Sequence, residues 1–280
     1  MMFEKKRVYV LVKTYPTISE KYSELVCTAG VCEDGSWIRI YPMPYRLLAG
    51  DMKYSKYTWI DIEVERNISD FRPESYRPNI DTIKVETKPK KINWDERRKI
   101  IFKEKNPVFT NLDELVSRAK SSKKKSLAMF KPTRILGFDI APDDREWNID
   151  KIAKLHERSK QRSFFKTMKE VEKEFALVKK LPYKFRYHFE DDSGKESRLM
   201  ISDWEIGMLF FNTLNKANGD EKVALSMVRK KYFEEFLTRD IYFFLGTTKE
   251  FHNIAPNPFI ITGVFYPPMP EPYQQLGFDF

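Results

Sequence analysis

The sequence predicts a mixed α+β fold with an N-terminal curled β-sheet or small barrel (OB- or PUA-like), a basic helical middle and a C-terminal ββααββ unit. Residues 1–88 alternate apolar and polar side chains with the period of a β-strand. Residues 89–180 combine helical spacing with many lysines, and residues 181–280 enclose two helices between two strand pairs, before a proline-rich tail. These three ranges are the predicted domains, and the barrel type rests on architectural analogy alone.

The first range contains five candidate strands. Arg7–Lys13 places its three valines on one face, which is typical of a first strand rather than a signal peptide. Glu24–Val31 and Trp37–Met43 flank an acidic turn that contains glycine, and this predicts a hairpin. Tyr57–Glu65 and Asp81–Glu86 supply the remaining strands. Five short strands with a polar outer face are typical of a small barrel.

The second range is basic and mainly helical. Trp94–Lys105 predicts one helix, which an Asn-Pro pair ends. Thr110 predicts the cap of a second helix, because an acidic residue follows at the third helical position. Arg134–Ile140 predicts a strand, and Asn148–Arg162 predicts a third helix with one apolar face.

The third range contains two strand pairs around two helices. The first helix is predicted to begin at Ser202, and the second to run from Asp220 to about Leu237. The last two strands are apolar on both faces, which is typical of central strands. The predicted strands are Tyr183–Phe189, Glu196–Ile201, Ile241–Leu245 and Phe259–Phe265.

The positive charge is concentrated in one segment. The chain has a net charge of +9, and Lys84–Arg134 contains sixteen Lys or Arg against six Asp or Glu, a local charge of +10. Such a cluster indicates a phosphate-rich partner, most simply a nucleic acid. Lysine contacts of this kind hold phosphates without reading sequence. A solvated loop is the alternative interpretation of its densest part, which consists of Lys120, Lys123, Lys124, Lys125 and Lys131.

A strand face that combines arginine with aromatic rings lies elsewhere in the predicted barrel. Because Ile38 and Ile40 point inward, their neighbours line the opposite face. Exposed rings there could stack unpaired bases while arginine neutralises phosphate. Burial of the rings under later helices is the alternative. Outside the lysine cluster, the predicted binding residues are the side chains of this face, those of the fourth strand and three further arginines. They are Trp37, Arg39, Tyr41, Arg46, Tyr57, Trp59, Arg72 and Arg77.

Two groups of carboxylates are candidates for chemistry. In the loop after the fourth strand, Asp70 and Glu74 could bind a metal or act as a base, and Arg72 could hold phosphate. A rigid connector with Asp–Arg and Glu–Arg pairs across it is the simpler interpretation of that loop. Asp203 and Glu205 could likewise be catalytic, but the start of a helix explains both residues as caps.

Several short motifs resemble bacterial and archaeal hypothetical proteins that have no assigned activity. The resemblance implies a shared fold over most of the chain and carries no chemistry. The motifs are Tyr183-Lys-Phe-Arg-Tyr-His-Phe189, Asp203-Trp-Glu205, Leu245-Gly-Thr247, Gly263-Val-Phe-Tyr-Pro-Pro268, Lys13-Thr-Tyr-Pro16 and Trp37-Ile-Arg-Ile-Tyr-Pro42.

The remaining features narrow the functional classes. Without a P-loop, a G-x-G-x-x-G or an H-E-x-x-H motif, the sequence predicts neither ATP hydrolysis nor dinucleotide chemistry, and no cofactor. Cys27 and Cys32 lack the second Cys or His pair of a metal site and indicate a reducing, cytoplasmic location. No apolar run is long enough for a membrane span. We therefore predict sequence-tolerant nucleic-acid binding to DNA or RNA, with a metal-dependent nuclease or processing enzyme, or a subunit of a larger protein assembly, as alternatives.

Overall fold

The computed structural model describes residues 2–17, 25–87, 93–150, 152–153 and 178–270. Over these residues the protein has a mixed α+β fold, which confirms the predicted class. Most of the predicted helix Asn148–Arg162 and of the proline-rich tail lies outside the described residues. No helix in the described ranges is both long and apolar enough to cross a membrane.

The N-terminal region is a closed five-stranded barrel with the strand order β1-β2-β3-β5-β4, as predicted at the level of a small barrel. Neighbouring strands are antiparallel except β3 and β5, which pair in parallel. The strands are β1 (Glu4–Lys13), β2 (Val26–Cys32), β3 (Trp37–Met43), β4 (Trp59–Arg66) and β5 (Ser75–Val85).

Alternating apolar side chains build the inside of the barrel. Val8, Ile38, Ile40 and Ile60 belong to one buried cluster there, as strand alternation predicts. Gly30 permits the close approach of β2 to β1, because a Cβ atom at this position would lie only 2.1 Å from the carbonyl oxygen of Tyr9. From Val8 onward the first strand is buried on both faces, so its outer face there must be covered by another part of the chain.

Two short helices connect the barrel to the rest of the protein: α1 (Trp94–Ile101) and α2 (Leu112–Lys120). Each begins with an asparagine cap whose side chain accepts a hydrogen bond from a backbone N–H of the first turn. The cap of α2 is Asn111 and not Thr110, so the predicted boundary was one residue too early. Thr110 instead donates its hydroxyl hydrogen to Asp192.

The second half contains two sheets, and each includes strands from the predicted helical middle. One has the order β12-β11-β7-β6, and the other β10-β9-β8. Strands β6 and β7 were not predicted, because they have only two and four residues and follow charged or turn-forming segments. The strands are β6 (Val108–Phe109), β7 (Leu127–Phe130), β8 (Arg134–Pro142), β9 (Tyr183–Glu190), β10 (Glu196–Met200), β11 (Tyr242–Thr247) and β12 (Phe259–Phe265).

Helices α3 (Trp204–Lys216) and α4 (Glu221–Arg229) pack on these sheets through a large aromatic core. After α4 the chain stays helical through a π-helical segment, Lys230–Glu235. The helix therefore ends close to Leu237, as predicted. A separate cluster joins the two halves of the protein: Leu11 and Trp37 of the barrel pack with Leu127, Phe244 and Phe265 of the four-stranded sheet. The barrel and the second half therefore share a continuous apolar interface.

Candidate functional site

The predicted Arg–aromatic strand face is not exposed, and that prediction was wrong. Trp37 is 7% exposed and Arg39 is 2% exposed. The reason is that the outer face of β3 packs on the four-stranded sheet. The Trp37 ring meets Phe244 edge-on at a centroid distance of 6.0 Å, and its indole N–H donates to Asn106. Tyr57 is also buried, beneath a guanidinium 4.1 Å from its ring centroid.

The other predicted binding residues divide between several places. Trp59 is half-buried against Tyr9, with the ring centroids 5.0 Å apart. Arg46 is half-buried on a single 3-10 turn after β3. Lys131 pairs with Asp240 and lies 4.4 Å from the ring centroid of Tyr242. Tyr41 lines a cavity.

That cavity has a volume of about 520 Å³ and lies where the barrel meets the four-stranded sheet. Cys27, Arg39 and Tyr41 supply its wall from strands β2 and β3. The loop between β4 and β5 adds Asn67, Ser69, Asp70 and Arg72. The end of β11 and the segment after it add residues 246–250. We call this space the interdomain cavity. It contains two of the predicted binding arginines: Arg39, which was expected on an exposed strand face, and Arg72 of the loop after β4.

Arg39 is held in the wall by neutral hydrogen-bond acceptors. Its guanidinium donates to the Ser75 hydroxyl (3.2 Å), the Ser126 hydroxyl (2.7 Å), the Ser126 carbonyl (3.0 Å) and the Thr247 carbonyl (3.5 Å). Burial lowers the pKa of Arg39, and the positive charge of Arg72 lowers it further. Within the described residues, no carboxylate lies at ion-pair distance from this guanidinium.

Arg72 differs from Arg39 because it has a carboxylate partner. Its Nη2 lies 2.6 Å from an oxygen of Asp70, its Nε donates to the same carboxylate at 2.9 Å, and its Nη1 donates to the Thr247 carbonyl. Burial alone would raise the pKa of Asp70, but the hydrogen bonds and charge of Arg72 hold it at about 2. The Asp–Arg pair is as expected of a rigid connector, whereas Glu74 pairs with Ser126 and not with an arginine in the described structure.

The lysine loop, Lys120–Lys125, lies beside this connector. Its lysines at 120, 123 and 124 are exposed, and Lys125 is half-buried. The Lys124 ammonium is 5.2 Å from the ring centroid of Phe71, which lies between the two residues of the Asp70–Arg72 pair. Glu74 fixes the end of the loop by accepting hydrogen bonds from the Ser126 N–H (3.1 Å) and hydroxyl (2.6 Å).

A third segment, Thr247–His252, completes this region. Lys249 donates to the Ser69 carbonyl at 2.7 Å, and Arg77 donates to the Ser69 hydroxyl at 3.0 Å. His252 is fully buried, and its two ring nitrogens contact the Thr247 hydroxyl (2.8 Å) and the carbonyl of Ala119 (3.0 Å). Burial lowers the pKa of His252, so the neutral ring serves as a brace between α2 and this segment. The lysine loop, Phe71, Arg77 and Lys249 therefore lie together next to the interdomain cavity.

The carboxylates at the start of α3 have a different environment. Asp203, not Ser202, is the N-cap of the helix and accepts from the Glu205 N–H at 3.1 Å. The same buried carboxylate lies 2.7 Å from the ammonium of Lys56, and Glu205 lies 3.3 Å from it. Burial raises the pKa of Asp203 to about 6, against the opposing charge of Lys56. Lys56 was missed because it is 147 residues away in sequence.

The two candidate catalytic groups therefore have separate partners. Asp70 and Glu74 contact Arg72 and Ser126, whereas Asp203 and Glu205 share Lys56. The described part of the chain has no group of three or more His, Cys, Asp or Glu side chains arranged to hold a metal ion. A metal-dependent nuclease and a subunit of a larger assembly both stay predictions.

Comparison with known sequence families divides the chain near this site. Residues 4–103 match a domain of unknown function, DUF8758. Residues 108–279 match a second domain of unknown function, DUF8757. No curated protein sequence matches the chain. The two matched regions meet between α1 and β6, so the interdomain cavity is lined by residues from both of them.

Proposed function

The chain belongs to the DUF8757 family, a domain of unknown function, so its activity has to be argued from its own side chains, and we propose that it binds single-stranded nucleic acid in a sequence-tolerant manner. The binding surface is the lysine loop together with Phe71, Arg77 and Lys249. This surface replaces the strand face around Trp37 that the sequence indicated.

The observation that carries the proposal is the contact between the basic segment and an accessible ring. Lys124 lies over Phe71, which is half-buried, and three more lysines adjoin it in the same loop. Ammonium groups neutralise phosphates, and an aromatic ring stacks with any base because every base has a π-face. The combination favours binding without sequence preference.

The barrel topology gives independent support. We propose that the barrel is OB-like, since five strands close in the order β1-β2-β3-β5-β4. OB folds bind oligonucleotides on the face of strands 2 and 3 and on the loops that follow strands 1 and 4. Here the corresponding elements carry Cys27, Arg39 and Tyr41 on the strands and Phe71 on the second loop. Because the strand face itself is covered here, the analogy supports binding at the loop between β4 and β5, and it says nothing about chemistry.

Replacing Phe71 by alanine is expected to weaken the binding of a single-stranded oligonucleotide by about 1–3 kcal/mol, because one stacking platform is lost. Fluorescence anisotropy with a labelled homopolymeric strand would measure it. Phe71→Tyr is the matched control and should retain most of the affinity, since it keeps the ring. Equal binding by the alanine variant and the wild type, with both folded, would exclude Phe71 from the surface.

A further inference from the structure

The interdomain cavity has the dimensions of a small-molecule site. Its volume of about 520 Å³ falls within the range of roughly 300–1,000 Å³ that ligand pockets occupy. It lies at the junction of two structural units, which is a common position for such sites. A nucleic-acid duplex or a protein helix is too large for this cavity, whereas a single nucleotide is of suitable size.

One wall of the cavity carries a buried positive charge with only neutral contacts. Arg39 is 2% exposed, and its hydrogen bonds go to hydroxyl and carbonyl oxygens. Ser126 accepts a hydrogen bond from Arg39 and donates one to the carboxylate of Glu74, so Glu74 is linked to the guanidinium only through this serine. A buried guanidinium without a carboxylate in contact is costly, and a bound anion would offset that cost. The planar fork of arginine matches a phosphate group.

Arg72 places a second guanidinium in the same wall, but its charge is already matched by Asp70. Among the residues that the structure describes, the charged side chains that line the cavity are Arg39, Arg72 and Lys249 on the positive side and Asp70 and Glu250 on the negative side. The excess is a single positive charge. The cavity therefore suits one compact anionic group rather than a polyanion.

The rest of the lining is amphipathic. Leu25, Leu127 and Ile260 supply apolar surface, and Tyr41 adds an aromatic ring. Thr14, Ser202 and Thr262 also line the space; the Thr14 hydroxyl accepts from the Cys27 N–H, and the Thr262 hydroxyl donates to the Phe244 carbonyl. An apolar and aromatic surface suits a base, hydroxyls suit a sugar, and a guanidinium suits a phosphate.

From this arrangement we infer that the interdomain cavity binds one nucleoside monophosphate unit, with its phosphate on the Arg39 side of the wall. The unit is either a free nucleotide or the phosphorylated end of a strand. The inference rests on the proposed function for the route by which a strand reaches the cavity, since the lysine loop and Phe71 lie beside it. The chemistry of the cavity itself does not depend on that route.

The two cysteines of the chain provide a direct test. Cys27 lines the cavity and Cys32 does not, and both are half-buried free thiols. The wild-type protein is alkylated with a small thiol reagent, and mass spectrometry of the peptides gives the two rates. At ten times its Kd, a nucleoside monophosphate leaves about a tenth of the sites free, so the Cys27 rate should fall about tenfold. The Cys32 rate should not change.

Parallel reactions with the unphosphorylated nucleoside and with inorganic phosphate separate the contributions, and each should protect Cys27 less than the nucleotide does. An unchanged Cys27 rate at millimolar nucleotide would overturn the inference. Equal slowing of both cysteines, or equal protection by the unphosphorylated nucleoside, would also overturn it. Oligonucleotides with and without a terminal phosphate distinguish the two sources: protection only by the phosphorylated strand assigns the strand end, and protection only by the free nucleotide assigns the metabolite.

Two variants complete the design. Arg39→Lys keeps the charge but loses the fork, and it should weaken protection of Cys27 by at least about tenfold, the effect of losing about 1.4 kcal/mol of binding. If this variant does not fold, the comparison of nucleotide with nucleoside on the wild type decides the question. Lys124→Gln, in the lysine loop, should weaken strand binding but leave protection by the free nucleotide unchanged. If the protein binds no strand but the nucleotide still protects Cys27, only the proposed function is contradicted. If it binds a strand but the nucleotide does not protect Cys27, only the nucleotide site is contradicted.

Discussion

Replacing Lys56 by methionine is expected to destabilise the protein by about 3–5 kcal/mol at neutral pH, because breaking a buried pair leaves an uncompensated charge. The ammonium of Lys56 is 2% exposed and lies 2.7 Å from the carboxylate of Asp203, which is 1% exposed. Burial opposes the charge on Lys56, yet the attraction of the two carboxylates raises its pKa. Urea unfolding of the variant and the wild type measures the change in free energy.

The loss should also depend on pH in a defined direction. Burial raises the pKa of Asp203 to about 6 even with Lys56 present, and removal of that ammonium raises it further. A folded-state pKa above the unfolded value of about 3.9 contributes stability at low pH that is lost as pH rises through the folded pKa. The wild type has lost this stability by about pH 6, whereas Lys56→Met continues to lose it at higher pH. The difference in unfolding free energy between the two proteins should therefore widen above about pH 6.

A double-mutant cycle provides the control. Asp203→Asn keeps a good helix cap while removing the charge, so Lys56→Met combined with Asp203→Asn should be more stable than Lys56→Met alone. Lys53→Met, at an exposed lysine nearby in sequence, should change stability by less than about 0.5 kcal/mol. A Lys56→Met variant as stable as Lys53→Met would contradict the buried pair.

Replacing Trp37 by alanine is expected to cost about 3–5 kcal/mol of unfolding free energy, because the ring is part of the core that joins the barrel to the four-stranded sheet. An exposed stacking residue would cost within about 0.5 kcal/mol on the same substitution. The experiment therefore distinguishes the observed burial from the surface role that the sequence suggested. Chemical unfolding curves supply the measurement.

Trp37→Phe separates the packing of this residue from its hydrogen bond. It keeps an aromatic ring against Phe244 but leaves the buried Asn106 oxygen without the indole donor, which should cost about 1–3 kcal/mol. Binding of single-stranded nucleic acid by this variant should match that of the wild type when both are folded. Weaker binding with unchanged stability would return Trp37 to the binding surface.

The strands of the barrel could be predicted because alternation along a single strand records which side chains face inward. Ile38 and Ile40 do lie in the barrel interior. The same pattern cannot indicate what covers the opposite face, and β3 is covered by a sheet whose strands lie about 90 and 205 residues later in the chain. The burial of Trp37 and Arg39 therefore had no local signal.

Other parts of the site were only partly visible in the sequence. The charge of the lysine loop was evident, but its contact with Phe71 depends on how α2 and β7 position residues 120–125 against the loop after β4. The four apolar residues Leu127–Phe130 were too few to separate from a helical context. Pairing of Asp203 with Lys56 joins distant parts of the chain, so only the capping role of Asp203 could be read locally.

The most direct test of nucleic-acid binding at the lysine loop is a salt titration of oligonucleotide affinity. For single strands, log K should fall with log salt by about 0.7 per neutralised phosphate. The variant with Lys120, Lys123 and Lys124 each replaced by Gln should have a slope shallower by about 2. The matched control replaces the exposed lysines Lys216, Lys222 and Lys230 by Gln and should keep the wild-type slope. No binding at low salt, or an equal loss of slope in both variants, would contradict the assignment of binding to the lysine loop.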